Sequence, residues 1–351
     1  AMQGADVSLI IVPTPSLPDG SFTNEYLVKA LAGLGSCLTD RESRHTVIVC
    51  STVMPGSCQD DLQAALESAS GRAVGRDIGL VYSPEFIALG SIVNDMQNPD
   101  LVLIGESDTA AGDVAEQLAR TIVQSEPAIH RMSLPSAELV KLAVNTFVTT
   151  KISFANMLSE CCATLPDADI DVITRAVGSD SRIGGKYLKG ALGYGGPCFP
   201  RDNLALTRFA EMSGVEASIA IATDLVNERQ PDRIVSRIQG QTPPGGTVAV
   251  LGLAYKPNTP VCERSQAVDI ANKLQHLGFT VMAHDPQATR DTAERLDPGV
   301  GLAEAEDEAL SKADTVLIAT PWPCYADLDW AQARAQGKIV CDPWGLLGDS
   351  T

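Results

Sequence analysis

The chain has 351 residues, enough for two or three domains with substantial cores. It carries 44 acidic against 26 basic residues, a formal net charge of −18, with no long basic run. Nucleic acid and anionic membrane both rely on positive charge, so neither is expected as a partner, whereas a small anion held by a few local cations stays open.

No segment approaches the roughly 18 apolar residues of a membrane span. The opening AMQGADVSLIIV has no basic start of the signal-peptide kind, and the chain is expected to begin inside a domain. The cysteines Cys37, Cys50, Cys58, Cys161, Cys162, Cys198, Cys262, Cys324 and Cys341 form no CxxC pair and no zinc spacing. No metal is expected, and reduced thiols in the cytoplasm are the simplest reading.

In chain order, VSLIIVPTP, TVIVCSTV and IGLVYSPEF are short β-branched runs that each end in a polar or proline-bearing turn. Helical spacing lies between them, near 24–40 and 57–70, and LVLIGES leads to a further helical stretch near 108–124. This alternation predicts a parallel sheet covered by helices, with ligands at the carboxyl ends of the strands, where Thr14, Thr52 and Glu85 fall. The run LPSAELVKLAVNTFVTTKISFANMLSECC then predicts one helix over about 134–163, with Pro135 in its first turn. At 1.5 Å per residue its roughly 29 residues make a rod of about 43 Å, suited to joining domains or forming a dimer core. Glu138, Lys141 and Asn145 share one face of it, and by itself such a stripe reads as the solvated side. Residues 167–235 are helical again, interrupted by a glycine-rich loop at 178–198. After the break QTPPGG, the strands TVAVLGLAYK, TVMAHDP, DTVLIAT and KIVCDPW predict a second α/β unit.

The loop GYGGPCFPRDN places Gly193, Gly195 and Gly196 before Cys198, with Pro197 and Pro200 beside it. Glycine permits close approach of backbone to a ligand, and proline limits the freedom that remains. Taken in order, IVPTP, STVMPG, SPEF, AELVKLAVNTF, DSRIGGKYLKGALGYGGPCFPRDN, GLAYKPNT, ERSQA and HDP closely resemble the UDP-glucose/GDP-mannose (nucleotide-sugar) 6-dehydrogenase family over almost the whole chain.

The resemblance implies an α/β fold in three parts: a Rossmann-like NAD-binding domain, present only in part, over 1–132; a central helical dimerisation and catalytic domain over 133–240; and a Rossmann-like sugar-nucleotide domain over 241–351. It implies NAD-dependent, four-electron oxidation of a sugar C6 alcohol to a carboxylate, by a homodimer acting on a UDP-sugar. Cys198 would be the nucleophile that captures the aldehyde as a thiohemiacetal and then carries a thioester, which splits one difficult step into easier ones. Lys141 would stabilise the alkoxide, and its cation would favour the thiolate. Asn145 would hold water or sugar, Asp202 would accept a proton, and Glu85 and Thr52 would position the hydrolytic water. Phe86, Ile87, Tyr187, Leu188, Lys189, Gly193, Tyr194, Gly195 and Lys256 would line the sugar-nucleotide pocket, with Arg182 reaching a sugar across the dimer. Thr14, Thr52, Arg201 and Arg264 would contact NAD.

Two departures stand out. No GxGxxG turn occurs, so the expectation is a chain lacking the half of the NAD domain that cradles the pyrophosphate, and binding NAD poorly by itself. PEFIALG has Leu89 where UDP-glucose enzymes commonly carry an acid, whereas CFPRD favours UDP-glucose over N-acetylamino sugars. UDP-N-acetylhexosamines and GDP-mannose stay open as substrates. Outside this class, the chain reads as a non-catalytic sugar-nucleotide-binding fragment, or less well as a thiol hydrolase, since only four histidines are present and none is near Cys198.

Overall fold

The computed structural model describes residues 4–348. The chain divides into two compact units, Ala1–Asn145 with Leu204–Ala217, and Thr146–Asn203 with Ser218–Thr351.

In the first unit β1 (Val7–Ile10), α1 (Glu25–Leu38), β2 (His45–Val49), α2 (Gln63–Ser70), β3 (Ile78–Tyr82), α3 (Ile92–Gln97), β4 (Leu101–Glu106), α4 (Thr109–Ile122) and β5 (Ala128–Ser133) follow in sequence. The five strands form one sheet in the order β1-β2-β3-β4-β5. Alternate side chains face opposite layers. Val47, Val49, Leu80, Tyr82 and Leu103 pack with Leu27, Leu31, Leu34 and Leu38 of α1 and with Leu66 of α2. Ile48, Val81 and Ile104 face Ala111 and Ala115 of α4. Strands covered on both sides have no polar face, which is why they read as continuous apolar runs.

The expectation of an all-parallel sheet fails at one place: β4 runs antiparallel to β3, pairing Val81 with Glu106 and Tyr82 with Gly105. A parallel return needs a crossover packed on the sheet. The connection here holds only α3, a six-residue helix that buries nothing, so the chain turns back beside its neighbour.

The helical elements that follow are α5 (Leu134–Cys162), α6 (Ile170–Ser179), α7 (Phe199–Met212), α8 (Ser218–Glu228) and α9 (Gln230–Gln241). The 29 residues of α5 are one unbroken helix, as its spacing predicts. Its residues to Asn145 belong to the first unit and those from Thr146 to the second.

The second unit also contains β6 (Thr247–Leu251), α10 (Gln266–His276), β7 (Thr280–His284), β8 (Gly301–Leu302), α11 (Glu306–Lys312), β9 (Thr315–Ile318), α12 (Trp330–Ala335) and β10 (Ile339–Cys341). Its sheet is parallel throughout, in the order β10-β9-β6-β7-β8. This is the doubly wound order, with its switch point between β6 and β9. Val248, Val250, Val281 and Leu317 face Ile234 and Ile238 of α9 and Ile270 and Leu274 of α10. Ala249, Leu251, Val316 and Ile318 face Leu310, Trp322, Tyr325 and Trp330. Among the described residues no helix is long and apolar enough to cross a membrane.

Candidate active site

The first unit presents its predicted residues on three strand-end loops and one helix. Thr14 follows β1, Thr52 follows β2 and Glu85 follows β3, as the strand pattern implies. The buried Thr14 hydroxyl donates to the Thr52 carbonyl at 2.7 Å. Ser51 accepts from the Val12 N–H at 2.9 Å and donates to the Val12 carbonyl at 2.7 Å. These bonds lock the carboxyl ends of β1 and β2 side by side. Open α/β sheets receive their ligands at the carboxyl ends of the strands, the edge to which these threonine loops belong.

The stripe on α5 is not a solvated face. Glu138 is 0% exposed, and Lys141 and Asn145 are each 8% exposed. The Glu138 carboxylate accepts the Gly56 N–H at 2.6 Å and the Cys58 N–H at 2.8 Å, so it holds the STVMPG loop against α5. Burial pushes its pKa up, while its hydrogen bonds to Cys58 and Gly56 oppose the shift. Lys141 donates through Nζ to the Glu85 carbonyl at 2.6 Å and lies 4.3 Å from the centre of the Phe86 ring. A cation over an aromatic face is attracted by the ring quadrupole. Glu85 itself is exposed, yet the protein around its carboxyl raises its pKa through desolvation, with the Lys141 charge pulling the other way. Ile87 beyond it is exposed.

In the second unit Cys198 stands one residue before α7 and is exposed. Its carbonyl accepts the Asp202 N–H at 2.9 Å, which closes the first turn of the helix. A helix N-terminus favours negative charge, which suits a thiolate at this place. Asp202 is buried in that turn, and Arg201 beside it is half-buried.

The glycines before Cys198 are required first by the protein's own packing. A Cβ on Gly193 would come within 2.0 Å of Asn227 Oδ1, and one on Gly195 within 2.4 Å of the Arg264 carbonyl. Gly196 has φ +81, and a Cβ there would lie 2.6 Å from the Tyr255 ring. Side-chain amides complete the loop's hydrogen bonding: the Gly193 N–H donates to Gln266 Oε1 at 2.6 Å, and the Tyr194 N–H to Asn227 Oδ1 at 2.7 Å. Asn227 returns a bond to the Tyr194 carbonyl at 3.0 Å. The Tyr194 hydroxyl donates to Asp224. Burial and that carboxylate push the phenol's pKa far up. Tyr255 is pushed up to about 12, chiefly by burial and also by the Cys198 charge.

The other predicted residues of this unit surround the loop's flanks. Arg182 is exposed and grips Asp180 at 2.6 Å, and Lys151 holds the Gly184 carbonyl at 2.9 Å. Tyr187 adopts φ +64 and sets its ring edge against Phe199, with centres 6.3 Å apart. Leu188 is buried, and Lys189 pairs with Asp171 at 2.7 Å. Lys256 lies 5.9 Å from the centre of the Tyr255 ring. Arg264 is exposed, with a left-handed φ of +49. A small recess at the switch point is lined by Gly193, Gly195, Tyr255, Ser265, Gln266 and Trp344, among others. Sequence reasoning gave no role to Glu138, Asn227, Tyr255 or Gln266. Of these, Glu138, Tyr255 and Gln266 lie in motifs it singled out, AELVKLAVNTF, GLAYKPNT and ERSQA, and Asn227 does not.

Two doubly covered α/β sheets, a locked threonine edge and an exposed cysteine at a helix start are compatible with an oxidoreductase of the NAD-dependent class. The chain belongs to the UDP-glucose/GDP-mannose dehydrogenase family: the family's NAD binding domain matches residues 1–123, its central domain 135–229 and its UDP binding domain 249–349. The first of these matches does not bear out the expectation of a lost half-domain. Residues 1–123 match the NAD-binding model, and the elements from β1 to α4 build a core of their own.

The UDP-glucose 6-dehydrogenase AglM of Haloferax volcanii is 34% identical over 340 residues, 96% of this chain and 79% of that protein. The UDP-glucose 6-dehydrogenase TuaD of Bacillus subtilis is 33% identical over 99% of this chain and 74% of its own length. Among solved structures, a UDP-glucose dehydrogenase from Pyrobaculum islandicum superposes with a TM-score of 0.87 at 35% identity, covering 98% of this chain and 77% of that one.

Proposed function

We propose that this protein oxidises the C6 hydroxyl of a UDP-sugar, UDP-glucose before all others, to the carboxylate in two steps. NAD, when bound, supplies the hydride acceptor for both oxidations. Lys141 stabilises the sugar alkoxide as the O6 hydroxyl proton leaves and C6 gives up a hydride, and a buried ammonium is worth more in that role than a solvated one. The resulting aldehyde carbon takes the Cys198 sulfur, and the carbonyl oxygen gains a proton, which gives a thiohemiacetal. Loss of a hydride and a proton from that adduct leaves a thioester. Water, held by Asn145 and Thr52 and deprotonated by Glu85 or Asp202, attacks it and releases the carboxylate and the thiol. The cofactor belongs to the domain at 1–132, with Thr14, Thr52, Arg201 and Arg264 as its contacts. The sugar nucleotide belongs to the domain at 241–351 and to the loops of the domain at 133–240. There Tyr187, Leu188, Lys189, Lys256 and the Gly193–Gly195 backbone are its contacts, with Phe86 and Ile87 contributed by the domain at 1–132.

The observation that supports this reading is Cys198: an exposed thiol at the start of α7, on a loop whose backbone is satisfied by Asn227 and Gln266. The test is stoichiometry and the Cys198→Ser variant. The parent forms about two NADH per sugar nucleotide consumed, whereas the serine variant binds the sugar nucleotide and releases no acid. Unimpaired acid formation by that variant would remove the cysteine from the mechanism. Titration with UDP-glucose, UDP-N-acetylglucosamine, UDP-N-acetylmannosamine and GDP-mannose decides the sugar.

The same reading makes the protein a homodimer through its central helices. Phe147, Phe154 and Met157 of α5 and Ile219 and Leu225 of α8 are exposed apolar side chains in the second unit. Exposed apolar surface of that kind marks an association face. Sedimentation of Phe147→Asp as a monomer, against a dimeric parent, is the expected outcome.

A further inference from the structure

In a dinucleotide-binding β-α-β unit, the acid at the end of the second strand meets a ribose hydroxyl. In the β6–α10–β7 unit the residue at that place is Asp285, directly after β7. It faces the protein instead. Its Oδ2 accepts the Leu253 N–H at 2.7 Å, the Ala254 N–H at 2.9 Å and the Trp322 Nε1–H at 3.2 Å. Its Oδ1 accepts the Gln287 N–H at 2.9 Å and the Ala288 N–H at 2.7 Å. A carboxylate that gathers this many donors is a strong anchor for the backbone it touches. The turn after β6 is held from two further sides: the Gly252 N–H donates to the His284 carbonyl at 2.7 Å, and Thr320 Oγ1 to the Ala254 carbonyl at 2.6 Å.

The residue after this turn is Tyr255. Its ring fills the space opposite Gly196, where a Cβ would lie 2.6–2.8 Å from three ring atoms. The Gly196 N–H is itself held by the Glu263 carbonyl at 2.9 Å. Gly196 stands two residues before Cys198, and Lys256 directly follows Tyr255. A continuous path of contacts therefore runs from the Asp285 carboxylate through the turn and the Tyr255 ring to the cysteine loop.

We propose that Asp285 is a positioning residue for Cys198: it binds the chain's own turn where a ribose would sit, and so fixes Tyr255 as the wall against which the Gly196–Cys198 segment is set. The proposal rests on Cys198 as the nucleophile for its consequence in turnover, but not for its geometry.

The test is alkylation of Cys198 by iodoacetamide in the full chain, followed by peptide mass spectrometry, beside steady-state kinetics. Asp285→Asn places an amide NH2 or a single oxygen among donors that need two anionic oxygens. Cys198 alkylation is expected to change about tenfold and kcat to fall about tenfold, since a shift of about 1 Å in a reacting group has effects of this order or larger. Trp322→Phe removes one donor and keeps the ring, and moves the alkylation rate the same way by less. The control is Asp314→Asn, whose Oδ2 accepts the Thr247 N–H at 2.8 Å at the opposite end of β6. It loses one backbone anchor on the same strand and lowers thermal stability without changing Cys198 alkylation. Parental alkylation rates in both Asp285→Asn and Trp322→Phe overturn the proposal, as does an equal change in Asp314→Asn. Should Asp285→Asn not fold, the Trp322→Phe rate alone decides. Failure of the nucleophile assignment is read separately, as acid formation by Cys198→Ser.

Discussion

Lys141 donates to the backbone carbonyl of Glu85 at 2.6 Å, so the helix that carries the ammonium also holds the end of β3. The lysine thus couples a structural bond to the charge assigned above to the alkoxide. Replacing it with methionine keeps the length and the apolar stem but removes both. We expect Lys141→Met to lower kcat by about 10² to 10³, the usual loss for an electrostatic stabiliser in a water-poor site. Lys141→Arg should rescue little, because a planar fork does not replace a compact ammonium in a buried place. Steady-state kinetics with circular dichroism as a folding control checks both. Activity within threefold of the parent in Lys141→Met would place the charge outside the reaction.

Glu85 leads to a prediction about pH. Desolvation raises its carboxyl above the ordinary value of 4.5, with Lys141 opposing. A raised acid binds its proton more tightly when folded than when unfolded. Its contribution to stability is therefore fully present below the unfolded value and is lost as pH rises through the folded one. Glu85→Gln should melt higher than the parent at pH 7.5, and the difference should vanish near pH 4. Thermal melts across that range decide it, and a constant difference would show that the carboxylate is not desolvated. The same variant should lose hydrolysis of the thioester while keeping its fold.

The parallel strands were legible because burial on both faces leaves only apolar residues, as in TVIVC, TVAVL and TVLIA. The reversal at β4 was not legible, since strand direction there depends on whether residues 83–100 pack over the sheet, and no residue type in that segment announces it. The edge strand β5, AIHRMS, carries no apolar run, and β8 is only two residues long. In the site, the spacing of Glu138, Lys141 and Asn145 was visible, but a polar stripe on a helix looks alike whether it meets water or a loop. The amides of Asn227 and Gln266 could not be matched to Gly193 and Tyr194, because nothing local links residues more than 30 positions apart. What the ordered motifs supplied was the family, and with it Cys198.

Gly196 should be intolerant of any side chain for two separable reasons. Its φ of +81 is one L-residues rarely adopt, and the space a Cβ needs is filled by the Tyr255 ring at 2.6 Å. The backbone part costs about 1–2 kcal/mol, and the clash adds overpacking of about 1–3 kcal/mol. Gly196→Ala is thus expected to destabilise by both together. Pairing it with Tyr255→Ala should recover the clash but not the backbone cost. A double-mutant cycle by urea denaturation measures the coupling. Simple additivity of the two changes would mean that the ring yields freely.

Glu138 carries the last prediction, because it separates support of the site from chemistry in it. Its two oxygens accept the Gly56 and Cys58 N–H groups, and its side chain has no exposed surface. Glutamine can keep one of these bonds, but its NH2 then faces the other donor. A buried N–H left without an acceptor costs about 1–3 kcal/mol, so Glu138→Gln should lower unfolding free energy by that amount. The affected loop carries Thr52, so kcat should fall while the pH dependence of turnover keeps its shape, since no proton in the reaction passes through Glu138. Because burial already raises the Glu138 carboxyl above 4.5, the ionised form is the one penalised. The parent's advantage over the glutamine variant should therefore be smaller at pH 8 than the lost bond and the lost charge on the other would suggest by themselves. Urea melts and pH–rate profiles on both proteins check this. A changed pH–rate shape in Glu138→Gln would make the residue a participant and not a support.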